Sequence, residues 1–177
     1  MTTKCLCQYH NSYLSPLDSL IGDIFDQLRS FSEDKHEITL IPGDLFERWM
    51  LKTLIGLLAT GKFKDSSDKA YNINDIDSIW IEVLFGIKDF PEETGLYIAY
   101  HPGDKFEMTH AFQIEVGFIE NKVAGLKLNL GGFTFYLSLY EKNFTFKSNH
   151  KIYNSVMHKP KFIKKEFFKQ SINFVWN

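Results

Sequence analysis

Two cysteines and a histidine stand close together near the start of the chain. They are Cys5, Cys7 and His10, in the pattern C-x-C-x-x-H. Thiolate sulfur and imidazole nitrogen are preferred ligands of Zn²⁺, and three such side chains in an irregular segment can converge on one ion. A structural zinc site takes four ligands, and His36 or Asp18 is the candidate for the fourth. The spacing therefore makes a zinc site one hypothesis, and we favour the alternative of two reduced cysteines beside a surface histidine.

The segment that carries these ligands resembles part of a nuclease family. Residues 7–18 read CQYHNSYLSPLD. They resemble the second half of the zinc-knuckled HNH-type nuclease core, where a Cys-x-x-Cys or Cys-x-x-His pair followed by Asn leads into a helix. They also resemble uncharacterised bacterial and phage proteins that read C-x-x-H-N and then L-S-x-L-D. The resemblance implies zinc-binding ancestry and carries over His10 and Asn11. Only four residues precede Cys5, so the histidine base of that core is missing and we expect no intact nuclease.

A lysine-rich segment over 158–169 is the second candidate site. Its five lysines alternate with aromatic residues: Lys159, Lys161, Lys164, Lys165 and Lys169. Ammonium groups contact phosphates and exposed rings stack on bases, so the composition is typical of a single-stranded nucleic-acid surface. We favour the alternative of a solvated lysine edge with Phe162, Ile163 and Phe167 in the core. The reason is that the whole chain carries a net charge of −2, whereas nucleic-acid-binding domains are usually basic.

The sequence contains no complete catalytic constellation. Four histidines of the C-terminal half match no known ligand spacing and are assigned no role: His101, His110, His150 and His158. Phosphate-binding glycine loops, G-x-S-x-G and H-E-x-x-H are all missing. Helix capping and a surface ion pair account for Asp44, Glu47 and Arg48. We therefore predict no catalytic residues.

A helix over 43–61 is the element around which we expect the chain to fold. Asp44 as N-cap with Glu47 three residues later matches a capping box. Gly61 suits the left-handed position that follows a helix. Apart from a polar stripe that begins at Arg48, nearly every position is large and apolar. Such a helix must be buried on more than one side.

Two further helices and two irregular stretches surround this central helix. The first helix is predicted to begin with Ser15 as N-cap and Pro16 at its first position, and to run for about 16 residues with apolar spacing of i, i+3, i+4 and i+7. The third helix is predicted to end at Gly86. Residues 37–41 form a short extended segment, and residues 62–71 are interpreted as a polar loop.

The C-terminal half has the pattern of an antiparallel sheet. Apolar and polar residues alternate over 112–118, 126–130 and 133–139, with Phe112 and Phe135 on the predicted buried face. One apolar face per strand is typical of an antiparallel sheet covered on one side. We predict an α+β fold in which three N-terminal helices pack on one face of a C-terminal antiparallel sheet of about five to six strands.

The predicted organisation is a single domain over 1–177. It comprises an irregular segment over 1–14 with the possible metal ligands, a helical half over 15–86 and an antiparallel β half over 94–177. The length and the 44% apolar content fit one globular domain. Two cysteines one residue apart and no apolar leader predict a cytoplasmic protein in which the cysteines are reduced thiols or metal ligands. The sequence has no run of about 20 apolar residues, so it predicts no membrane-spanning helix.

These observations favour a non-catalytic intracellular binding or accessory protein, of a bacterial or phage kind, that acts through protein–protein contacts. The predicted contact surface is an exposed sheet face with Tyr97, Tyr136 and Tyr140, or an uncovered sheet edge. The alternative is a nucleic-acid-binding protein or a degenerate HNH-type nuclease with an N-terminal zinc site. Zinc is the only cofactor predicted, and only under the metal-site hypothesis.

Overall fold

The computed structural model describes residues 8–32, 38–64, 67–99, 112–120, 122–140, 156–164 and 171–176. The helices and strands in these ranges follow in chain order: α1 Gln8–Ser32, β1 Ile38–Pro42, α2 Gly43–Leu58, β2 Phe63–Lys64, β3 Ala70–Tyr71, a 3₁₀ turn Ile73–Asp75, α3 Ile79–Leu84, β4 Gly95–Ala99, β5 Phe112–Ile119, β6 Lys122–Leu130, β7 Phe133–Ser138, β8 Val156–His158, β9 Phe162–Lys164 and β10 Ser171–Val175. Helices occur together with a five-stranded antiparallel sheet, so the predicted α+β class is confirmed.

The strands form two main sheets, which we call the large and the small sheet. The large sheet has the order β5-β6-β7-β4-β8, and every neighbouring pair in it is antiparallel. The small sheet has the order β1-β10-β9, with β1 parallel to β10 and β9 antiparallel to it. A two-stranded hairpin of β2 and β3 lies where the sequence predicted only a polar loop.

The small sheet corrects the predicted division into leading helices and trailing strands. The extended segment before α2 is strand β1, and it pairs with β10 from the far end of the chain. The last predicted strand is present as β10, but it belongs to the small sheet and not to the large one. Parallel neighbours need a long crossover between them, and this crossover spans most of the sequence. Local periodicity carries no information about such a pairing.

Helix α1 begins seven residues before the predicted N-cap, so the prediction that Ser15 caps it is wrong. Pro16 instead lies inside the helix, where it supplies no N–H to the preceding turn. The first two turns are retained because Leu14 is buried in the core. The Lys52 ammonium on α2 also donates a hydrogen bond of 3.1 Å to the Leu14 carbonyl oxygen.

Helix α2 is the centre of the packing, as its sequence predicted. It contacts α1, α3, β1 and β10 of the small sheet, and β4, β6 and β7 of the large sheet. Phe46 is fully buried, and its ring meets the ring of Phe135 edge-on with 4.9 Å between centroids. The predicted capping box is wrong: Pro42 occupies the N-cap position, and Glu47 is buried and bound elsewhere.

The buried face of the large sheet is confirmed for its central strands and wrong at one edge. Phe133 and Phe135 on β7 are buried, whereas Phe112 on β5 is 57% exposed. Among the described strands, β5 is one of the two end strands of this sheet, and Phe112 is its first residue. In the described part of the chain, no helix is long and apolar enough to cross a membrane.

Candidate functional site

The predicted zinc ligands are only partly within the described residues. Cys5, Cys7 and His36 lie outside them, and His10 lies on the exposed side of α1. The His10 ring contacts Phe85, with centroids 5.1 Å apart. Asp18, the other candidate ligand, pairs with the Lys52 ammonium at 2.6 Å. Among the described residues, no group of three His, Cys, Asp or Glu side chains could hold a metal, and the zinc site stays a prediction.

The lysine-rich segment is divided by the fold. Lys165 and Lys169 lie outside the described residues, and Lys164 belongs to β9. Lys161 is exposed, whereas Lys159 is half-buried and turns toward α2. Ile163 is buried as expected, but Phe162 is 56% exposed, so the interpretation that placed Phe162 in the core is wrong.

The three predicted contact tyrosines do not share an exposed surface. Tyr136 is only 3% exposed, and its prediction as an exposed residue is wrong. Tyr97 lies opposite Tyr136 in the large sheet, is partly buried and donates its hydroxyl hydrogen to the carbonyl oxygen of Glu93. Burial, together with the Glu93 carboxylate, raises the pKa of Tyr97. Tyr140 is exposed beyond the end of β7.

An exposed apolar surface lies instead on the small sheet. Strand residues alternate between two faces, and Thr39, Ile41, Ile163, Ile172 and Phe174 are buried on the inner face. The opposite face, which we call the small-sheet outer face, carries four exposed apolar side chains with their exposed fractions: Ile38 70%, Leu40 58%, Phe162 56% and Val175 47%. The strand register aligns Leu40 with Asn173 and Asn173 with Phe162, so on this face the polar Asn173 of the central strand lies between the apolar Leu40 and Phe162.

The electrostatic character of the small sheet is basic. Its described residues and the corner that leads into it span 38–42, 156–164 and 171–176. These ranges contain Lys159, Lys161 and Lys164 and no aspartate or glutamate. Strands β1 and β9 are the two end strands of this sheet among the described strands. The sequence of these ranges is therefore locally basic, although the ammonium of Lys159 turns away from the outer face toward α2.

A buried carboxyl group and a half-buried ammonium lie in contact where the two sheets meet. Glu47 of α2 is 3% exposed, and its Oε1 lies 3.3 Å from the ammonium of Lys159. Its Oε2 accepts a hydrogen bond of 3.0 Å from the backbone N–H of Leu96 at the start of β4. Gly95 makes room for this carboxylate, because a Cβ on Gly95 would lie 2.4 Å from Oε2.

Aromatic rings surround the charged end of Lys159. Its ammonium lies 5.3 Å from the centroid of the Trp176 ring and 5.7 Å from that of Phe90, both within the range of cation–π attraction. The indole N–H of Trp176 donates a hydrogen bond of 3.0 Å to the Pro160 carbonyl oxygen. The same indole lies against Gly43, where a Cβ would come within 2.6 Å of the ring. We call Glu47, Lys159, Phe90 and Trp176 the junction cluster.

Burial raises the pKa of Glu47 from 4.5 to about 7. The ammonium of Lys159 and the N–H of Leu96 oppose this shift, and the nearby Asp44 carboxylate adds to it. Desolvation of the carboxylate therefore outweighs its favourable contacts, so Glu47 exchanges a proton near neutral pH. Strongly shifted pKa values mark candidate functional groups, although structural ion pairs shift them too.

Reasoning from the sequence missed Glu47 because its position imitates a capping box. The available signal was the composition of α2, in which a carboxylate sits among large apolar residues and requires a buried partner. Lys159 was identified, but as a phosphate contact. Comparison of the chain with family models, with curated proteins and with solved structures finds no match.

Proposed function

We propose that this protein is a non-catalytic binding protein that docks another protein on the small-sheet outer face. The observation that carries the proposal is the presence of four large apolar side chains, each about half exposed or more, on one face of one sheet. Scattered apolar residues are normal on a surface, but several exposed apolar side chains on one face of one small sheet are typical of interaction sites. The accessory role follows from the lack of a complete catalytic constellation in the sequence and stays a prediction, as do its bacterial or phage kind and the intracellular location.

The chemistry of the face defines the partner surface that fits it. Apolar side chains would cover Leu40 and Phe162, and carboxylates at the rim would face Lys161. Charge complementarity of this kind mainly raises the association rate and selects partners. Covering the exposed part of the Phe162 ring contributes about 0.8–1.7 kcal/mol, which is roughly a 4- to 20-fold change in affinity. We therefore infer an apolar partner surface with an acidic rim.

The chain offers a closely matched control for this surface. Phe162 on the small sheet and Phe112 on the large sheet are 56% and 57% exposed, and each is the first residue of an end strand. The immobilised protein, Phe162→Ser and Phe112→Ser would be compared in native-host lysate by quantitative mass spectrometry. The purified partner would then be titrated against all three proteins in low and high salt.

The expected result is a partner that binds the parent protein and Phe112→Ser alike, loses roughly 4- to 20-fold in affinity for Phe162→Ser, and binds more slowly at high salt. Equal loss in both variants, or no captured protein that discriminates between them, would overturn the proposal. Sedimentation velocity tests whether a second copy of this chain occupies the face instead of a foreign partner. A dimer that dissociates in Phe162→Ser would assign the face to a second copy of this chain and would equally contradict a foreign partner.

A second candidate function is the binding of single-stranded nucleic acid. The observation that favours it is that the Phe162 ring is exposed and that the exposed Lys161 precedes it in the chain, so this part of the small sheet offers a ring for stacking and an ammonium for phosphate. Fluorescence anisotropy with a labelled oligothymidine would test it at two salt concentrations. Binding that weakens steeply with salt and is lost in Phe162→Ser would support this function, and no binding at low salt would exclude it.

The zinc site and the degenerate nuclease ancestry remain part of this alternative. Elemental analysis of the purified protein and of Cys7→Ser tests them directly. One zinc per chain that disappears in Cys7→Ser would support Cys5, Cys7 and His10 as ligands. Protein purified without zinc, and unable to take it up from solution, would contradict them.

A further inference from the structure

The chain passes from the large sheet into the small sheet through one sharp corner. Residues Lys159, Pro160 and Lys161 join β8 to β9, and Lys159 has a left-handed φ of 41°. A residue with a Cβ adopts this conformation only when its surroundings hold it there. The corner is therefore a place where the fold imposes an unfavourable backbone conformation.

Three hydrogen bonds hold this corner in place. The Lys159 N–H donates to the Leu96 carbonyl oxygen of β4 at 2.9 Å. The Lys161 carbonyl oxygen accepts from the N–H of Phe174 on β10 at 2.9 Å, and the Pro160 carbonyl oxygen accepts from the Trp176 indole. The corner is thus attached to both sheets, and the ammonium of Lys159 reaches from it to the buried carboxylate on α2.

We propose that Glu47 and Lys159 form a proton-operated latch, which holds the corner closed while Glu47 is protonated and loosens it when Glu47 ionises. An ionised Glu47 in the closed corner has two favourable contacts, Lys159 and the Leu96 N–H, and is otherwise removed from water. Opening the corner would let water reach the carboxylate. Ionisation therefore favours the open arrangement, since the closed one binds the proton more tightly.

The charged groups around Glu47 fix the direction of this effect. On α2 itself the Asp44 carboxylate disfavours ionisation, and from the corner Lys159 favours it. Strand β4 contributes only the Leu96 N–H, and the segments with Phe90 and Trp176 contribute rings. The pKa of Glu47 in the closed corner is about 7, against 4.5 for a carboxyl in water. The closed-to-open ratio is then expected to fall about tenfold between pH 6 and pH 8.

The consequence for function rests on the function proposed above. Strand β9 leaves this corner and carries Phe162, so loosening the corner changes the support of the small-sheet outer face. Partner binding is then expected to be tighter at pH 6 than at pH 8. The latch itself is tested without any partner, which keeps the two proposals separable.

Hydrogen exchange of assigned NMR signals measures the latch directly. The signals are the amides of Leu96 and Lys159 and the indole N–H of Trp176, compared with the amide of Leu128 in the middle of the large sheet. After correction for intrinsic exchange, the three corner signals are expected to be less protected than Leu128 and to lose about tenfold in protection between pH 6 and pH 8. Corner signals that exchange only as fast as Leu128, or that show no such loss, would overturn the proposal.

Three variants test whether the Glu47 carboxylate, rather than another titratable group, causes the change in protection with pH. Glu47→Gln cannot ionise and is expected to abolish the tenfold change. Glu115→Gln is the matched control, because Glu115 also pairs with a lysine, Lys127 at 3.2 Å, but on the exposed surface. It should retain the change, and so should His158→Gln, which removes the imidazole next to the corner. Retention of the change in Glu47→Gln would contradict the latch.

A further variant keeps the test decisive if Glu47→Gln does not fold. Lys159→Gln removes the charge that lowers the pKa of Glu47, so the midpoint of the change should move to higher pH. A midpoint that stays in place or moves down would overturn the latch. If the exchange measurements agree with the latch but partner binding does not depend on pH, the latch is supported and only its proposed consequence for binding is contradicted.

Discussion

Glu47 shows how one buried side chain can link pH to the stability of a whole domain. Its pKa is raised to about 7 in the folded chain and is 4.5 when unfolded. A raised carboxyl pKa means that the folded state holds the proton more tightly. The resulting stabilisation is complete below pH 4.5 and is lost as the pH rises through 7.

The stability of the protein is therefore expected to fall between pH 6 and pH 8. The shift in the pKa of Glu47 corresponds to about 3 kcal/mol in total, of which roughly 1.4 kcal/mol is lost in this interval. Urea denaturation at both pH values, on the parent protein and on Glu47→Gln, measures it. The variant should lose this part of the pH dependence, and Glu115→Gln should keep it. A parent protein that is more stable at pH 8 than at pH 6 would contradict the raised pKa.

Substitution by alanine is expected to have opposite effects on stability at two glycines. Gly95 has a φ of 94°, and an added Cβ would lie 2.4 Å from the Glu47 carboxylate, so Gly95→Ala is expected to destabilise the fold by more than about 2 kcal/mol. Gly56 lies within α2 with nothing within 4 Å of an added Cβ, so Gly56→Ala should stabilise by about 0.5–1 kcal/mol. Urea midpoints measure both changes, and a neutral Gly95→Ala would contradict the close packing of this carboxylate.

Helix α1 provides a test that distinguishes its start in the structure from the start that the sequence predicted. In the structure Pro16 lies inside the helix and is exposed, so Pro16→Ala restores a backbone donor and should stabilise by about 1–3 kcal/mol. If the helix instead began at Ser15, proline would be favoured at that place and the substitution would be neutral or destabilising. Thermal denaturation with circular dichroism decides between the two, with Ser19→Ala, at another exposed site of α1, as the control.

The elements that the sequence predicted well are those whose physical cause is local. Helix α2 was predicted from its apolar circumference, and the β6–β7 hairpin from Gly131 and Gly132, both of which adopt positive φ. The start of α1 was predicted wrongly, because the burial of Leu14 outweighs the preference of Pro16 for a helix terminus. Tertiary packing therefore outweighs the local preference of proline for the first position of a helix.

Contacts between distant parts of the chain account for what the sequence could not predict. The partner of β1 is β10, and no periodicity in either segment identifies the other. The small-sheet outer face exists only because these strands meet, so it could not be found before the fold was known. The same holds for Glu47 and Lys159, which more than 100 positions separate. At the scale of the molecule, the candidate sites lie where β1 and α2 meet the C-terminal strands β9 and β10 and the corner before them.

Because α2 contacts both sheets, the described parts of the chain are expected to unfold in a single transition. Phe135→Ala in the large sheet and Ile172→Ala in the small sheet each remove a fully buried side chain and should cost about 2–5 kcal/mol. The measurement is urea unfolding followed by far-ultraviolet circular dichroism and by tryptophan fluorescence, which includes Trp176 beside the small sheet. Both signals should shift together in both variants, whereas a fluorescence transition that moves alone in Ile172→Ala would mean that the small sheet unfolds independently.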